Sequence, residues 1–184
     1  MTAKTRYLVL LRGINVGGKN KLPMPKLKAL LEELGFEDVS TYIQSGNAIV
    51  TSGLAAKSVA RKIEKGLGET VKLDSEIIKV LAVPLDDLRT IVDKRPRGFG
   101  DEPGKYHSDV IFLMDLTPEE ALSAFSPRDG VDALWSANGV IYHQRLSAQR
   151  TKSRLNRVMA SPHYKSMTIR SWTTTAKLLE LMEG

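Results

Sequence analysis

Along the first half of the chain, short apolar runs alternate with segments whose apolar residues are spaced as on one face of a helix. The spacing i, i+3, i+4, i+7 of one helix face is met by Leu27, Leu30, Leu31 and Leu34. A second helix face is marked by Val59, Ile63 and Leu67. Strands are predicted for the runs at 6–12, 39–44, 48–51 and 77–83. The segment Ser45-Gly46-Asn47 predicts a tight hairpin between the middle strands, since glycine and asparagine tolerate a positive φ.

The second half repeats this order of elements. Strands are predicted at 109–114, 131–135, 140–143 and 167–170. A capping-box pattern starting at Thr117 opens one helix, and apolar spacing predicts another at 155–159. The pair Asn138-Gly139 predicts the hairpin between the middle strands. A last helix is predicted from about Thr174 onward.

Each half therefore reads β-α-β-β-α-β, in which two crossovers place both helices on one face of an antiparallel sheet. We expect an α+β fold of two ferredoxin-like subdomains in tandem, followed by a C-terminal helix. The first subdomain is predicted at 1–83 and the second, with the C-terminal helix, at 108–184. Between them, 84–107 is predicted to form a connecting helix and a loop rich in glycine and proline.

Composition excludes several classes of protein. The chain has 184 residues, of which 42% are hydrophobic and 26% charged, as in average globular proteins. Without cysteine it has no disulfide, no thiolate nucleophile and no cysteine-ligated metal. The longest uninterrupted apolar runs have five residues, whereas a membrane span needs about 20. No secretory pattern opens the chain, so we expect a cytoplasmic protein without membrane contact.

The net charge, 27 − 21 = +6, is unevenly distributed. Residues 1–31 carry seven lysines or arginines and no acidic residue, and residues 133–179 carry eight and again no acidic residue. If the two segments meet in space, they create one positive field that attracts an anion. If they lie apart, they are ordinary solvated surfaces.

The segment from Arg12 to Lys21 follows a predicted strand and precedes a helix, where many α/β proteins hold phosphate on backbone N–H groups. It satisfies much of the P-loop pattern, but Asn20 stands where a magnesium-binding Ser or Thr is required. Prolines at 23 and 25 delay the helix, and the hairpins favour an antiparallel sheet, unlike P-loop folds. Two interpretations remain: the segment is an anion-binding loop of another kind, or it is a loop that only turns the chain.

Other candidate residues carry weaker signals. The three histidines lack the spacing of a metal site, and no motif identifies a cofactor. His107 is two residues from Asp109, which would suit acid–base chemistry, although a surface histidine is the commoner explanation. Basic residues at 150–157 lie on a predicted amphipathic helix that either follows a phosphate backbone or faces solvent. Arg170 lies just before the last helix, where an arginine is unfavourable unless an anion faces it.

Three motifs resemble a bacterial family catalogued as domain of unknown function 1697. They are the run from Leu10 to Asn20, the run from Thr41 to Asn47, and the closing segment from Thr168 to Thr174. The closing motif of the family usually reads Thr-x-Arg-Asn-Trp-Asn-Thr, so Ser171 and Thr173 depart from it. The resemblance spans nearly the whole chain. It implies a duplicated ferredoxin-like α/β fold and no established activity.

These observations predict that an anionic, phosphate-bearing ligand binds in a basic cleft between the subdomains. The predicted ligand contacts are Arg12, Gly13, Asn15, Gly17, Gly18, Lys19, Gln44, Asn47 and Arg170. A small phosphate-bearing molecule and a nucleic acid are both compatible with this set. The alternatives are a nucleic-acid-binding or protein-interaction module without catalysis, and an enzyme that uses His107 or Asp109.

Overall fold

The computed structural model describes residues 3–72, 74, 78–137 and 139–184. These residues form a mixed α/β protein with two four-stranded antiparallel sheets and a C-terminal helix. The chain divides into two compact units. Unit 1 comprises Met1–Arg89 and Leu178–Gly184, and unit 2 comprises Thr90–Lys177.

The sheet of unit 1 has the strand order β2-β3-β1-β4. Its strands are β1 (Thr5–Arg12), β2 (Glu37–Tyr42), β3 (Asn47–Ser52) and β4 (Lys79–Pro84). Its helices are α1 (Met24–Glu33) and α2 (Ala56–Thr70), and α3 (Leu85–Asp93) follows β4 and extends into unit 2. The predicted strand at 77–83 begins at a residue outside the described ranges and extends one residue further than expected.

One face of this sheet carries the core that the leucine spacing predicts. Alternate residues of β1 point to the same face, and Tyr7, Val9 and Leu11 are all buried there. Leu27 of α1 and Ile63 of α2 are fully buried in the same cluster. Both helices therefore cover one face of the sheet, and the loop after β1 is left at the end of the sheet.

The sheet of unit 2 has the strand order β6-β7-β5-β8. Its strands are β5 (Tyr106–Leu113), β6 (Asp132–Ala137), β7 (Val140–Leu146) and β8 (Met167–Ser171). The predicted capping box is confirmed, because Thr117 and Glu120 bond each other's backbone amide at the start of α4 (Pro118–Leu122). Asn138 of the predicted hairpin lies outside the described residues. Gly139 has a φ of +80°, and β6 and β7 pair on either side of it.

The helix predicted at 155–159 is wrong as an α-helix. The structure has three short 3₁₀ helices at Ser147–Lys152, Leu155–Ala160 and Pro162–Ser166. The Ser153 hydroxyl accepts from the amide of Leu155, and the Ser161 hydroxyl accepts from the amide of His163. Such side-chain bonds compete with α-helical ones, and proline at 162 removes a further donor. The basic side chains of this region thus lie on separate turns instead of one helix face.

The glycine- and proline-rich loop before β5 is anchored by one aromatic residue. Phe99 is fully buried and packs edge-on against Tyr142, Trp172 and Trp135, with ring centroids 5.2, 5.5 and 6.1 Å away. Trp172 begins the last helix, α5 (Trp172–Glu183).

None of the described helices has both the length and the apolar composition that crossing a membrane requires.

Candidate functional site

The loop after β1 folds back on itself as a miniature hairpin. Gly17 and Gly18 at its tip have φ values of +57° and +76°, as in a type I′ turn. The Lys19 amide donates to the carbonyl of Val16 over 3.0 Å, and the Asn15 amide donates to the carbonyl of Asn20 over 3.2 Å. The tip is exposed, so both glycine backbones are accessible from solvent.

The side chain of Asn15 fixes this loop to the turn between β2 and β3. Its Nδ2 donates to the carbonyls of Leu22 and Gln44 over 2.9 and 3.0 Å, and its Oδ1 accepts from the Leu22 amide over 2.8 Å. Asn15 itself has a φ of +54°, a conformation that asparagine tolerates better than most residues. These bonds show that the Asn15 side chain holds the shape of the loop. The role of Asn15 as a ligand contact stays a prediction.

The β2–β3 turn is packed closely against the same loop. The Gly46 carbonyl accepts from the Leu11 amide over 2.9 Å, and Gly46 has a φ of +82°. A Cβ at this position would lie 2.9 Å from Ile14 Cδ1. Asn47 is fully buried, and its Nδ2 donates to the Tyr42 carbonyl and the Ser45 hydroxyl over 3.1 and 2.9 Å. The hairpin interpretation of the Ser-Gly-Asn segment therefore matches the observed turn.

Asn20, which the sequence analysis noted as a mismatch to the P-loop pattern but not as a site residue, holds the other side of the loop. Its Nδ2 donates to the Gly13 carbonyl over 2.8 Å. Its amide donates to an oxygen of Asp74 over 2.9 Å, and its Oδ1 accepts from the Asp74 amide over 2.8 Å. Asn20 is 2% exposed. A pair 54 positions apart leaves no local trace in the sequence, although an Asn in a glycine-rich turn is a usual sign of side-chain-to-backbone bonding.

Four basic residues belong to the strand ends and the loop at this end of the sheet. Arg12 pairs in register with Lys79 of β4, so the two side chains share one face, and Lys19 and Lys21 lie exposed on the loop. We call these four residues the basic rim. The carboxylate of Asp74 nearby is bonded to the amide of Asn20. The side chain of Gln44 is exposed on the adjoining turn.

The P-loop alternative does not fit this geometry. The sheet is antiparallel, whereas P-loop folds are parallel. Helix α1 begins at Met24 behind Pro23, so its N-terminus does not follow Lys19 directly. The amide of Lys19 is bonded within the hairpin and does not join a phosphate cradle.

Arg170 lies on β8 of unit 2, whereas the other predicted contacts lie in unit 1. It is 7% exposed, and its Nη1 donates to the Thr168 hydroxyl and the Ile169 carbonyl over 2.8 and 2.9 Å. Burial lowers the pKa of Arg170 to about 10, which leaves the guanidinium charged at neutral pH. Its role as a ligand contact stays a prediction.

Unit 2 contains a row of histidines and aspartates that is exposed at His107 and buried at His143, and the spacing in the sequence indicates only the His107 end. His107 Nε2 lies 3.0 Å from Asp109 Oδ1, and the other oxygen of Asp109 lies 4.0 Å from Nδ1 of His143. His143 Nε2 is 3.3 Å from Asp132 Oδ1. His143 is 1% exposed, and its Nδ1 has no hydrogen-bond partner among the described residues. The i, i+2 spacing of His107 and Asp109 was the available signal.

Asp132 closes the buried end of the row. It accepts from the Ser153 hydroxyl over 2.6 Å and from the amides of Arg154 and Arg128, both over 3.0 Å. Burial opposes the charge of this carboxylate, but the bonds from Arg154 and Ser153 outweigh it and lower the pKa of Asp132. Asp132 is therefore ionised at neutral pH and anchors the chain before the 3₁₀ helix at Leu155–Ala160.

His143 makes the stability of the protein dependent on pH. Burial lowers the pKa of His143 below 6.5, even though Asp132 and Asp109 favour its charged form. The unfolded chain takes up this proton more readily than the folded one, so we expect stability to fall as pH decreases below about 6.5, by up to about 1.4 kcal/mol per pH unit. Urea unfolding at a series of pH values measures this slope.

The variant His143→Gln is the matched comparison, since an amide can still donate to Asp132 but takes up no proton. We expect its stability to change less than that of the wild type between pH 6.5 and the folded-state pKa of His143. Above pH 7 the two stability profiles should run parallel. Equal slopes below pH 6.5 would show that the buried imidazole does not cause the acid sensitivity.

No group of three or more histidine, aspartate or glutamate side chains suited to a metal ion occurs within the described part of the chain. The two four-stranded antiparallel sheets and their helices define a mixed α/β protein. The chain belongs to the family described as "Protein of unknown function (DUF1697)", whose model matches residues 4–142. The resemblance noted in the N-terminal motifs is thus confirmed, and the closing motif lies beyond the matched range.

A solved structure is similar over the whole chain. It is titled "The structure of conserved bacterial protein SP0830 from Streptococcus pneumoniae" and is 26% identical in sequence. The similarity covers 98% of this chain and 99% of that one, with a TM-score of 0.77. No functionally curated protein matches the chain.

Proposed function

We propose that unit 1 binds an anionic, phosphate-bearing ligand at the basic rim. The observation that carries the proposal is the pairing of Arg12 with Lys79 at the sheet end where β1 stops and β4 starts, with Lys19 and Lys21 exposed on the loop that follows β1. Clustered cations of this kind raise the local concentration of anions and hold phosphate oxygens by charge-assisted hydrogen bonds.

The loop architecture supports the same proposal. The turn at Gly17 and Gly18 exposes backbone without side chains, which allows a phosphate to approach closely. The exposed amide of Gln44 adds an uncharged donor on the adjoining turn. Asn15 and Asn47 act as positioning residues, since their side-chain bonds hold the two loops in place. The preformed loop lowers the ordering cost of binding.

We also infer that each unit is a variant of the ferredoxin-like fold. Both sheets place their strands in the spatial order second, third, first, fourth, as in a β-α-β-β-α-β unit with two crossovers. In unit 2 the crossover before β8 consists of 3₁₀ turns, so the second helix of the motif is irregular. The predicted division into subdomains at 1–83 and 108–184 stays a prediction, and it differs from the two compact units in the placement of Leu178–Gly184, which belong to unit 1.

The test compares two variants with the same change in charge. Lys19→Gln with Lys21→Gln removes two cations of the basic rim, whereas Lys26→Gln with Lys65→Gln removes two exposed cations from α1 and α2. Binding of inorganic pyrophosphate and of a short single-stranded oligonucleotide is measured by calorimetry and fluorescence anisotropy. We expect the rim variant to bind about tenfold more weakly, which corresponds to about 1.4 kcal/mol, and the control variant to stay within twofold of the wild type.

The salt dependence identifies the kind of ligand. For a polynucleotide, log K falls linearly with log salt, with a slope of about −0.7 for each phosphate contacted on a single strand. Pyrophosphate should respond less, because it releases no condensed counterions. Equal losses in both double variants, or no binding of either probe to the wild type, would contradict the proposal.

A further inference from the structure

A second cluster of chemically active side chains lies on one face of the unit 2 sheet. The register pairs His107 with Arg145 and Asp109 with His143 across β5 and β7. Residues i and i+2 of a strand share a face, as do partners directly opposite, so all four side chains stand on the same face. His107 and Arg145 lie near the first residue of β5 and the last of β7, at the end of the sheet.

The carboxylates fix the tautomers of both imidazoles. An ionised carboxylate only accepts hydrogen bonds, so the nitrogen facing it carries the proton. His107 therefore donates from Nε2 to Asp109, and His143 donates from Nε2 to Asp132. This leaves the lone pair of His107 on Nδ1, on a side chain that is 45% exposed. A surface histidine without such a partner would exchange freely between its tautomers.

Arg145 supplies a cation next to this imidazole. Its Nε is buried and has no hydrogen-bond partner, and it forms no ion pair with any residue in the described ranges. The two carboxylates of the row are bonded elsewhere, Asp109 to His107 and Asp132 to Ser153 and two backbone amides. Asp132 lies opposite Arg145 in the β6–β7 register but forms no ion pair with it. An oxyanion would compensate this partly buried guanidinium.

We propose that His107 and Arg145 form an oxyanion site on unit 2 that takes the phosphate group of a small molecule. Arg145 would hold two phosphate oxygens, and His107 Nδ1 would accept a hydrogen bond from the P–OH group of a phosphate monoanion. If the proton passes to Nδ1, the phosphate becomes a dianion and the imidazolium donates back to the same oxygen. Asp109 is a positioning residue, since it acts through its hydrogen bond to His107, whereas His143 lies 4.0 Å from Asp109 and makes no hydrogen bond to it.

The test follows the histidine signals in NMR spectra of the full chain during titration with inorganic phosphate. The chain has three histidines, so His107→Gln assigns the signals of this site and His163 serves as an internal reference. Chloride at matched ionic strength corrects for salt. We expect a saturable shift of the His107 signals with phosphate, and no comparable shift of His163.

Three variants distinguish phosphate binding at this site from attraction by the overall positive charge of the protein. Arg145→Gln should weaken phosphate binding at least tenfold, whereas Lys105→Gln, which removes an exposed cation two residues from His107, should change it less than twofold. Asp109→Asn should move the ¹⁵N shift of His107 Nδ1 away from the value of an unprotonated nitrogen, because the tautomer is no longer fixed. A structural role of Asp109 alone would leave that shift unchanged in a folded variant.

Two results would overturn the proposal. One is the absence of a phosphate-specific shift of His107 in the wild type, and the other is an equal loss of affinity in Arg145→Gln and Lys105→Gln. If Arg145→Gln does not fold, calorimetry on His107→Gln decides, since it also should lose at least threefold in phosphate affinity. The double variant Lys19→Gln with Lys21→Gln should retain the His107 shift, so the failure of the unit 1 site and that of this site are distinguishable.

Discussion

Replacing Gly100 by alanine should destabilise the protein strongly. The new Cβ would overlap the indole ring of Trp172, and Gly100 has a φ of +78°. Overpacking a core typically costs about 1–3 kcal/mol. A left-handed backbone adds about 1–2 kcal/mol for a residue with a Cβ. Because Trp172 packs against Phe99, the displaced ring would also disturb the buried aromatic cluster.

The same loop offers two matched controls. Gly98 has a φ of +83°, and no atom lies within 4 Å of the place that an added methyl group would take, so Gly98→Ala reports the backbone strain alone. Gly104 has neither a positive φ nor a close neighbour, so Gly104→Ala should stay within about 0.5 kcal/mol of the wild type. Urea unfolding followed by tryptophan fluorescence gives all three free energies. If Gly98→Ala is as unstable as Gly100→Ala, the contact with Trp172 contributes nothing.

The second large effect is expected at Asn15. Asn15→Ala removes three hydrogen bonds at once. Together these bonds are worth about 2–3 kcal/mol, and alanine at a φ of +54° adds about 1–2 kcal/mol of strain. We therefore expect a loss of about 3–5 kcal/mol from these terms together. Differential scanning calorimetry measures it as a lower transition temperature.

Asn15→Gly separates the two contributions, because glycine adopts a positive φ without strain. We expect it to lose about 2–3 kcal/mol, which is the share of the hydrogen bonds. Hydrogen exchange at the amide of Leu22 gives a local measure, since this amide donates to Asn15 Oδ1. Unchanged protection of that amide in Asn15→Gly would show that the loop holds its shape without the side chain.

The sequence predicts the parts of the fold that depend on neighbours along the chain. The leucine spacing identifies α1, and the Ser45-Gly46-Asn47 segment identifies the turn that joins β2 and β3. The capping box at Thr117 is equally local. The prediction of an α-helix at 155–159 is wrong because apolar spacing carries no information about the bonds that Ser153 and Ser161 make to the backbone.

The candidate sites depend on partners that are distant in sequence. Asn20 bonds Asp74 across 54 positions, and His143 meets Asp109 only because β5 and β7 pair in one particular register. A shift of that register by one residue would place the two side chains on opposite faces. The motif Arg12 to Lys21 indicates where the loop of unit 1 lies, but its hairpin shape follows from the Asn15 and Asn20 bonds.

The last helix has a consequence for the order in which the protein folds on the ribosome. Leu178 and Met182 of α5 are buried and belong to unit 1, whose remaining residues end at Arg89. Glu183 of the same helix is bonded to Arg89 over 2.7 Å. Everything in unit 2 is therefore translated before unit 1 receives its final helical turns. The unit that is synthesised first therefore lacks its last packing element until residues 178–182 have been synthesised.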